Sequence, residues 1–123
     1  MTVFRKSELF VMTKVKDLTN YVITITEKSP KKFRFTLIHR MQNLSLDIIS
    51  DVHTANTYEK GTKLREDLQE DAKRKLALLD YVAQIAMEQK CILNKQYKNL
   101  SLYIAEALNY LQKWINKSKN DNT

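Results

Sequence analysis

The fold of this chain is decided at a short basic junction, Ser29-Pro30-Lys31-Lys32-Phe33-Arg34-Phe35-Thr36-Leu37. Ser29 suits an N-cap because its hydroxyl can accept a hydrogen bond from a free backbone amide, and Pro30 suits the first helical position, where no amide donor is missed. Pro30 also steers Ser29 away from helical dihedral angles. One helix therefore ends and another begins within a few residues, which predicts a helical hairpin with a cationic tip.

The composition favours long helices on both sides of this junction. The 123 residues include a single glycine and a single proline. All-β and α/β folds need many tight turns, so this scarcity indicates helices joined by few loops. A chain of this length is most simply one domain, residues 1–123, and it can bury a core without metal or disulfide.

Cysteine use and hydropathy indicate the cellular setting. The lone cysteine, Cys91, cannot form an internal disulfide, which favours a reducing, cytoplasmic environment. No stretch approaches the roughly 18 apolar residues that a membrane span requires. We therefore expect a cytoplasmic protein that does not enter membranes.

Apolar residues recur at spacings of three and four in four segments, which predicts helices over about 7–28, 30–57, 62–90 and 94–118. The separators between these segments are short, so consecutive helices must be antiparallel neighbours. The predicted fold is all-α, an antiparallel up-down-up-down four-helix bundle. In this topology the first and third connections lie at the same end of the bundle.

Positive charge is concentrated at that end. The net charge is +7, and residues 1–46 carry nine basic and three acidic side chains. Excess cationic charge favours a polyanionic partner such as nucleic acid or an acidic protein surface. The predicted nucleic-acid or partner-binding residues are Lys28, Lys31, Lys32, Arg34, Arg40, Lys95 and Lys98.

Two groups of aromatic residues leave alternatives open. Phe33 and Phe35 lie within the basic junction, where one could stack on RNA bases and the other could anchor the hairpin. Tyr103, Tyr110 and Trp114 form a second stripe beside the core stripe of the fourth helix. They suit either an interface between identical subunits or a cover for the edge of the core.

Signatures of an enzyme are missing. The chain has no glycine-rich phosphate loop and no nucleophile elbow, and His39 and His53 lie several helical turns apart. The acidic residues between Glu66 and Asp71 interleave with basic residues at helix-pair spacings, which favours an ion-pair surface over a metal site. We expect no catalytic activity, no cofactor and no metal.

Several segments occur in an order and at spacings shared with a known family: Pro30-Lys31-Lys32-Phe33-Arg34-Phe35-Thr36-Leu37-Ile38-His39-Arg40, Ala55-Asn56, Asn94-Lys95-Gln96-Tyr97 and Glu106 to Trp114. Over about residues 10–118 the chain resembles the accessory variability determinant (Avd) proteins of diversity-generating retroelements, which belong with the S23-like four-helix bundles. By motif, Trp114 matches the tryptophan late in the fourth helix, and Lys31, Lys32, Arg34 and Arg40 match the basic start of the second. Asp80 and Gln84 stand where similar proteins often carry arginines.

The resemblance implies a non-catalytic homopentamer that binds a reverse transcriptase and structured RNA or RNA/DNA through basic surfaces and supports mutagenic retrohoming. The alternative function is a protein-interaction or structural bundle whose basic end docks an acidic protein. A neighbouring reverse transcriptase gene with template and variable repeats would favour the first function.

Overall fold

The computed structural model describes residues 6–120, which form four long α-helices: α1 (Lys6–Thr26), α2 (His39–Thr57), α3 (Lys63–Glu88) and α4 (Asn94–Asn120). Each helix packs against its neighbours in sequence, and α1 also packs against α4. This arrangement confirms the predicted all-α, antiparallel up-down-up-down bundle, and the described part of the chain contains no strand. Residues 1–5 and 121–123 of the predicted domain lie outside the described residues.

Each helix contributes one apolar stripe to a single core, as the periodicity predicted. Apolar spacing along the third segment predicts a core stripe that begins at Leu64. In the structure Leu64 is 58% exposed, whereas Arg65 and Gln69 are buried in the first turns of α3. The core residues of α1 to α4 are Val11, Val15, Leu18, Val22 and Ile25; Met41, Leu44, Ile48, Val52 and Ala55; Ala72, Leu76, Leu79, Ala83 and Ala86; and Leu100, Ile104, Ala107, Leu111 and Ile115.

The junction between α1 and α2 is built differently from the prediction. The Ser29 hydroxyl donates to the carbonyl of Ile25 at 3.4 Å, so Ser29 closes α1 and does not cap the next helix. Pro30, at φ −56° and ψ 135°, takes the N-cap position without a side-chain hydrogen bond. The chain then forms a 3₁₀ turn, Lys31–Phe33, and a π-helical turn, Arg34–Ile38, before α2 begins.

A cluster of polar side chains, the polar clasp, joins all four helices at the opposite end of the bundle. Arg65 of α3 donates through Nη2 to Glu8 Oε1 of α1 at 2.9 Å, and both side chains are buried. Its Nη1 donates to the carbonyl of Tyr58 at 3.0 Å, and its guanidinium lies 5.1 Å from the centre of the Trp114 ring of α4. With its amide nitrogen turned towards the carboxylate, Asn56 of α2 donates to both Glu8 oxygens, at 3.2 and 3.0 Å.

Replacing Arg65 with Met should destabilise the fold by about 3 to 5 kcal/mol, because the buried Glu8 carboxylate loses its pair with the Arg65 guanidinium. Urea denaturation of the variant and the parent measures the difference. Lys63→Met is the matched control: its pair with Asp67, at 3.5 Å, is exposed on both sides. We expect this control to change stability by no more than about 0.5 kcal/mol. Equal effects of the two substitutions would contradict a structural role for the clasp.

Candidate nucleic-acid interface

The α1–α2 and α3–α4 connections meet at one end of the bundle. The Ser29 side chain forms a hydrogen bond with Cys91, and Ile38, Cys91 and Ile92 are buried in the same core. Burial raises the pKa of the Cys91 thiol more than the hydrogen bond with Ser29 lowers it. Cys91 therefore stays a neutral thiol and serves to pack the two connections together.

Exposed cations surround these connections, and we call the set the basic tip. No acidic residue occurs between Glu27 and Asp47 or between Glu88 and Glu106. All the side chains of the basic tip are exposed, and none of them forms an ion pair with a residue in the described range. Their charge is therefore available to an anionic partner. The basic tip comprises the seven predicted residues and one more: Lys28, Lys31, Lys32, Arg34, Arg40, Lys90, Lys95 and Lys98.

A cavity of about 500 Å³ opens within the basic tip, between the end of α1 and the turns that precede α2. This volume lies within the range of ligand-binding pockets. Three predicted residues, Lys28, Lys31 and Arg34, line the cavity, whereas the other predicted cations are exposed outside it. The remaining wall residues that bear on binding are Glu27, Phe35, His39 and Gln42.

The two phenylalanines of the junction have different environments. Phe33 is partly buried against the core, with Lys32 Nζ at 5.0 Å from its ring centre. Phe35 is 84% exposed and lies on the cavity wall. Phe33 is therefore the anchor of the hairpin, and Phe35 is free to contact a ligand. Single π-helical turns such as the one that holds Phe35 are frequent at functional sites.

Lys90 occupies a conformation that usually belongs to glycine. Its φ is 64°, and it sits where α3 ends, with the amide of Cys91 bonded to the carbonyl of Ala86 at 2.8 Å and its own amide bonded to Met87 at 3.0 Å. This is a Schellman motif, in which glycine is the preferred left-handed residue. The chain carries a cation there instead. The order of the helices already predicts Lys90 at this end of the bundle, but its left-handed conformation is evident only from the structure.

The aromatic stripe of α4 packs within the protomer. Trp114 is 1% exposed and belongs to the core of the protomer, which favours the second of the two alternatives for this residue, a cover for the edge of the core. Tyr103 stacks on Tyr21 of α1 at 4.8 Å, and Tyr110 lies 5.6 Å from Phe10. Both tyrosines are half-buried, so any interface on this stripe is limited to their outer edges.

Asp80 and Gln84 of α3 also have defined surroundings. Tyr97 of α4 donates through its hydroxyl to Asp80 Oδ1 at 3.3 Å, and burial raises the pKa of this hydroxyl. Gln84 is exposed and lines a shallow groove between α3 and α4. Asp80 therefore links two helices of the bundle.

Acidic residues of α2 and α3 form ion pairs. Lys75 Nζ lies 2.9 Å from Asp51 and 2.8 Å from Asp71. Burial, together with a hydrogen bond to Asp71, raises the pKa of Asp51 to about 6, whereas the Lys75 hydrogen bond lowers the pKa of Asp71. Within residues 6–120, no group of three or more His, Cys, Asp or Glu residues is arranged to hold a metal ion. The arrangement is that of an ion-pair surface.

We expect Asp51→Asn to remove one component of the pH dependence of stability. Since the pKa of Asp51 is raised from about 3.8 to about 6 on folding, the folded state binds the extra proton and wild-type stability falls as the pH rises through this window. The lowered pKa of Asp71 stabilises the folded state in the opposite pH sense. This stabilisation is lost only as the pH falls below the ordinary pKa of an aspartate, which lies under the range measured. Urea midpoints of the two proteins between about pH 4.5 and 7 measure the effect.

Groups that do not contact Asp51 cancel in this comparison, and the pKa values of Asp71 and Lys75, lowered and raised respectively, keep their titration outside the chosen pH range. Asp67→Asn, at an exposed ion pair, is the matched control. The control should keep the wild-type pH profile. A profile of Asp51→Asn parallel to that of the wild type would mean that Asp51 titrates near its ordinary pKa.

A scan against protein-family models and a search of the curated proteins found no match for this chain. Among the described helices, none combines the length and the apolar character needed to cross a membrane. Function is therefore inferred from the geometry and charge of the basic tip.

Proposed function

We propose that this chain is a non-enzymatic accessory protein that binds structured RNA or RNA/DNA through the basic tip and assists a reverse transcriptase. The observation that carries the nucleic-acid part is a set of eight exposed cations, none of them ion-paired within the described residues, at one end of the bundle. The reverse transcriptase and the role in mutagenic retrohoming are proposed from the resemblance to the Avd proteins alone.

The cations of the basic tip suit phosphate binding because they are exposed and not engaged in ion pairs within the described residues. Neutralising a phosphate with lysine or arginine releases condensed counterions, and this term supplies most sequence-independent affinity. A cation that is already paired must first give up its carboxylate, as Lys75 would have to leave Asp51. The cations of the basic tip have no such partner among the described residues. Arg34 and Arg40 add planar guanidinium groups, each of which can donate hydrogen bonds to two phosphate oxygens at once.

The distribution of charge along the bundle also supports an anionic partner at this end. Carboxylates of α2 and α3 are engaged by Lys75, Arg74 and Lys63 away from the tip. An acidic protein surface would be attracted to the same cations, and loss of RNA binding when they are replaced distinguishes RNA from such a partner.

Replacing Lys31, Lys32 and Arg34 together with Ala should weaken the binding of a structured RNA broadly across sequences. Each lost phosphate contact should reduce the slope of log affinity against log salt by about 1, so the slope should flatten by up to about 3. Helicity should be retained, because the three side chains lie outside the core. Fluorescence anisotropy with a labelled RNA hairpin over a range of salt concentrations measures both affinity and slope.

Two controls distinguish the effect of the basic tip on RNA binding from the effects of total charge and of folding stability. Lys16, Lys73 and Lys117 are exposed cations outside the tip, so replacing all three with Ala removes the same charge and should leave the slope unchanged. Lys90→Gly should raise stability by about 1 kcal/mol, because it relieves the left-handed conformation, and yet should weaken binding. If the triple variant of the tip binds RNA as tightly as the parent at every salt concentration, docking of an acidic protein becomes the leading function.

We also propose that the protein assembles as a homopentamer, as the resemblance implies. Apolar surface remains on α4, where Leu102 is 70% exposed beside a cleft lined by Tyr21 and Tyr103. Light scattering should give about five times the 14.5 kDa mass of one chain. Leu102→Asp should reduce this mass, whereas Leu93→Asp, at a residue of similar exposure in the α3–α4 connection, should not. A wild-type monomer at micromolar concentration would reject the assembly.

A further inference from the structure

We propose that the cavity of the basic tip receives an unpaired nucleotide of the bound RNA, with its base stacked on Phe35. This inference rests on the proposed function and specifies which part of an RNA the site takes. It joins three observations in one place: an almost fully exposed aromatic ring, cations without carboxylate partners, and a cavity of ligand size.

Phe35 is the most exposed large apolar side chain in the described part of the chain, at 84%. Leaving such a ring in water is unfavourable, and Phe33, two residues earlier, avoids it by packing against the core. Proteins that bind unpaired nucleotides place aromatic rings beside cations in this way, because every base offers a π face to stack on.

The rest of the cavity wall favours a base over an apolar protein segment. Apart from Phe35, the apolar side chain on the wall is Ile38, which is already buried in the core. A hydrophobic peptide would therefore find one ring and few further apolar contacts. A nucleotide matches the wall in both of its parts, since its base can stack while its phosphate approaches Lys31 and Arg34.

Two polar residues indicate how the base is oriented. Glu27 is an exposed carboxylate on the cavity wall and has no ion pair among the described residues. The Gln42 amide nitrogen already donates to Thr26 Oγ1 at 3.0 Å, so its carbonyl oxygen is left to accept. The Glu27 carboxylate repels phosphate, and both Glu27 and the Gln42 carbonyl can accept hydrogen bonds, which suits the exocyclic amino group of cytosine or adenine. The base therefore points inward and the phosphate stays at the cationic rim.

A base in an intact duplex cannot reach this ring. In A-form RNA the bases are stacked on each other and the major groove is too deep and narrow for side chains to read. The site consequently distinguishes a bulge or loop from a continuous helix, although both present phosphates to the same cations.

The test compares two RNA hairpins of equal length and charge, one with a single bulged adenine and one fully paired. The full chain should bind the bulged hairpin roughly 5- to 100-fold more tightly, the range expected for one stacked base. In NMR spectra, the ring current of Phe35 should shift the C2 proton of the bulged adenine upfield. Replacing that adenine with uracil, which lacks the amino group, should reduce the preference.

Phe35→Ala should abolish the preference and the upfield shift while leaving the salt slope unchanged, and Phe35→Trp should keep both. Tyr81→Ala, at an aromatic ring that is 67% exposed on α3, is the matched control and should behave as the parent. The inference is overturned if salt-dependent binding persists without a preference for the bulge, or if Phe35→Ala keeps the preference. Absence of any salt-dependent RNA binding would instead overturn the proposed function itself, and this inference with it.

Discussion

The buried ion pair between Glu8 and Arg65 is the constraint on which the arrangement of the bundle depends. Two charges can be removed from water only where they are paired and further hydrogen-bonded. The polar clasp meets this condition with one residue from each helix: Glu8, Asn56, Arg65 and Trp114. Apolar stripes alone would tolerate small slips of one helix along another. The clasp fixes the four helix ends in register, and because the helices are antiparallel, it also fixes the two connections at the far end.

That far end is where Ser29 meets Cys91 and where the eight unpaired cations gather. Ion pairing is thus unevenly distributed over the molecule. Carboxylates along α2 and α3 are matched by Lys75, Arg74 and Lys63, and the buried carboxylate at the first turn of α1 is matched by Arg65. The basic tip has no comparable match among the described residues. Lys16, Lys73 and Lys117 also lack an ion pair in the described range, but they are dispersed along the bundle. At the tip eight such cations lie close together, and this density of positive charge favours an anionic partner there.

Periodicity predicted the four helices and their topology because each core stripe repeats at helical spacing over several turns. Periodicity failed at the start of α3, where it assigned Leu64 to the core although the adjacent Arg65 is the buried residue. The partner of Arg65, Glu8, lies 57 residues away in sequence. Local pattern cannot report such a distant pair. The cations of the tip were predicted because charge and topology are both readable from sequence. The cavity was not, because it depends on the dihedral angles that follow Pro30.

The turns after Pro30 also explain why Phe33 and Phe35 could not be assigned from sequence. A π-helical turn takes an extra residue, so it shifts the phase of the side chains that follow, and the change from 3₁₀ to π geometry turns Phe33 inward and leaves Phe35 outside. Lys90 shows a second departure from local preference at the same end, with a left-handed backbone that glycine would adopt more easily. Local rules are otherwise well obeyed along the bundle. Two unfavourable features therefore lie at one end of the bundle, an exposed aromatic ring and a cation in a left-handed conformation. Departures of this kind concentrate at functional sites, which supports the binding role proposed for that end.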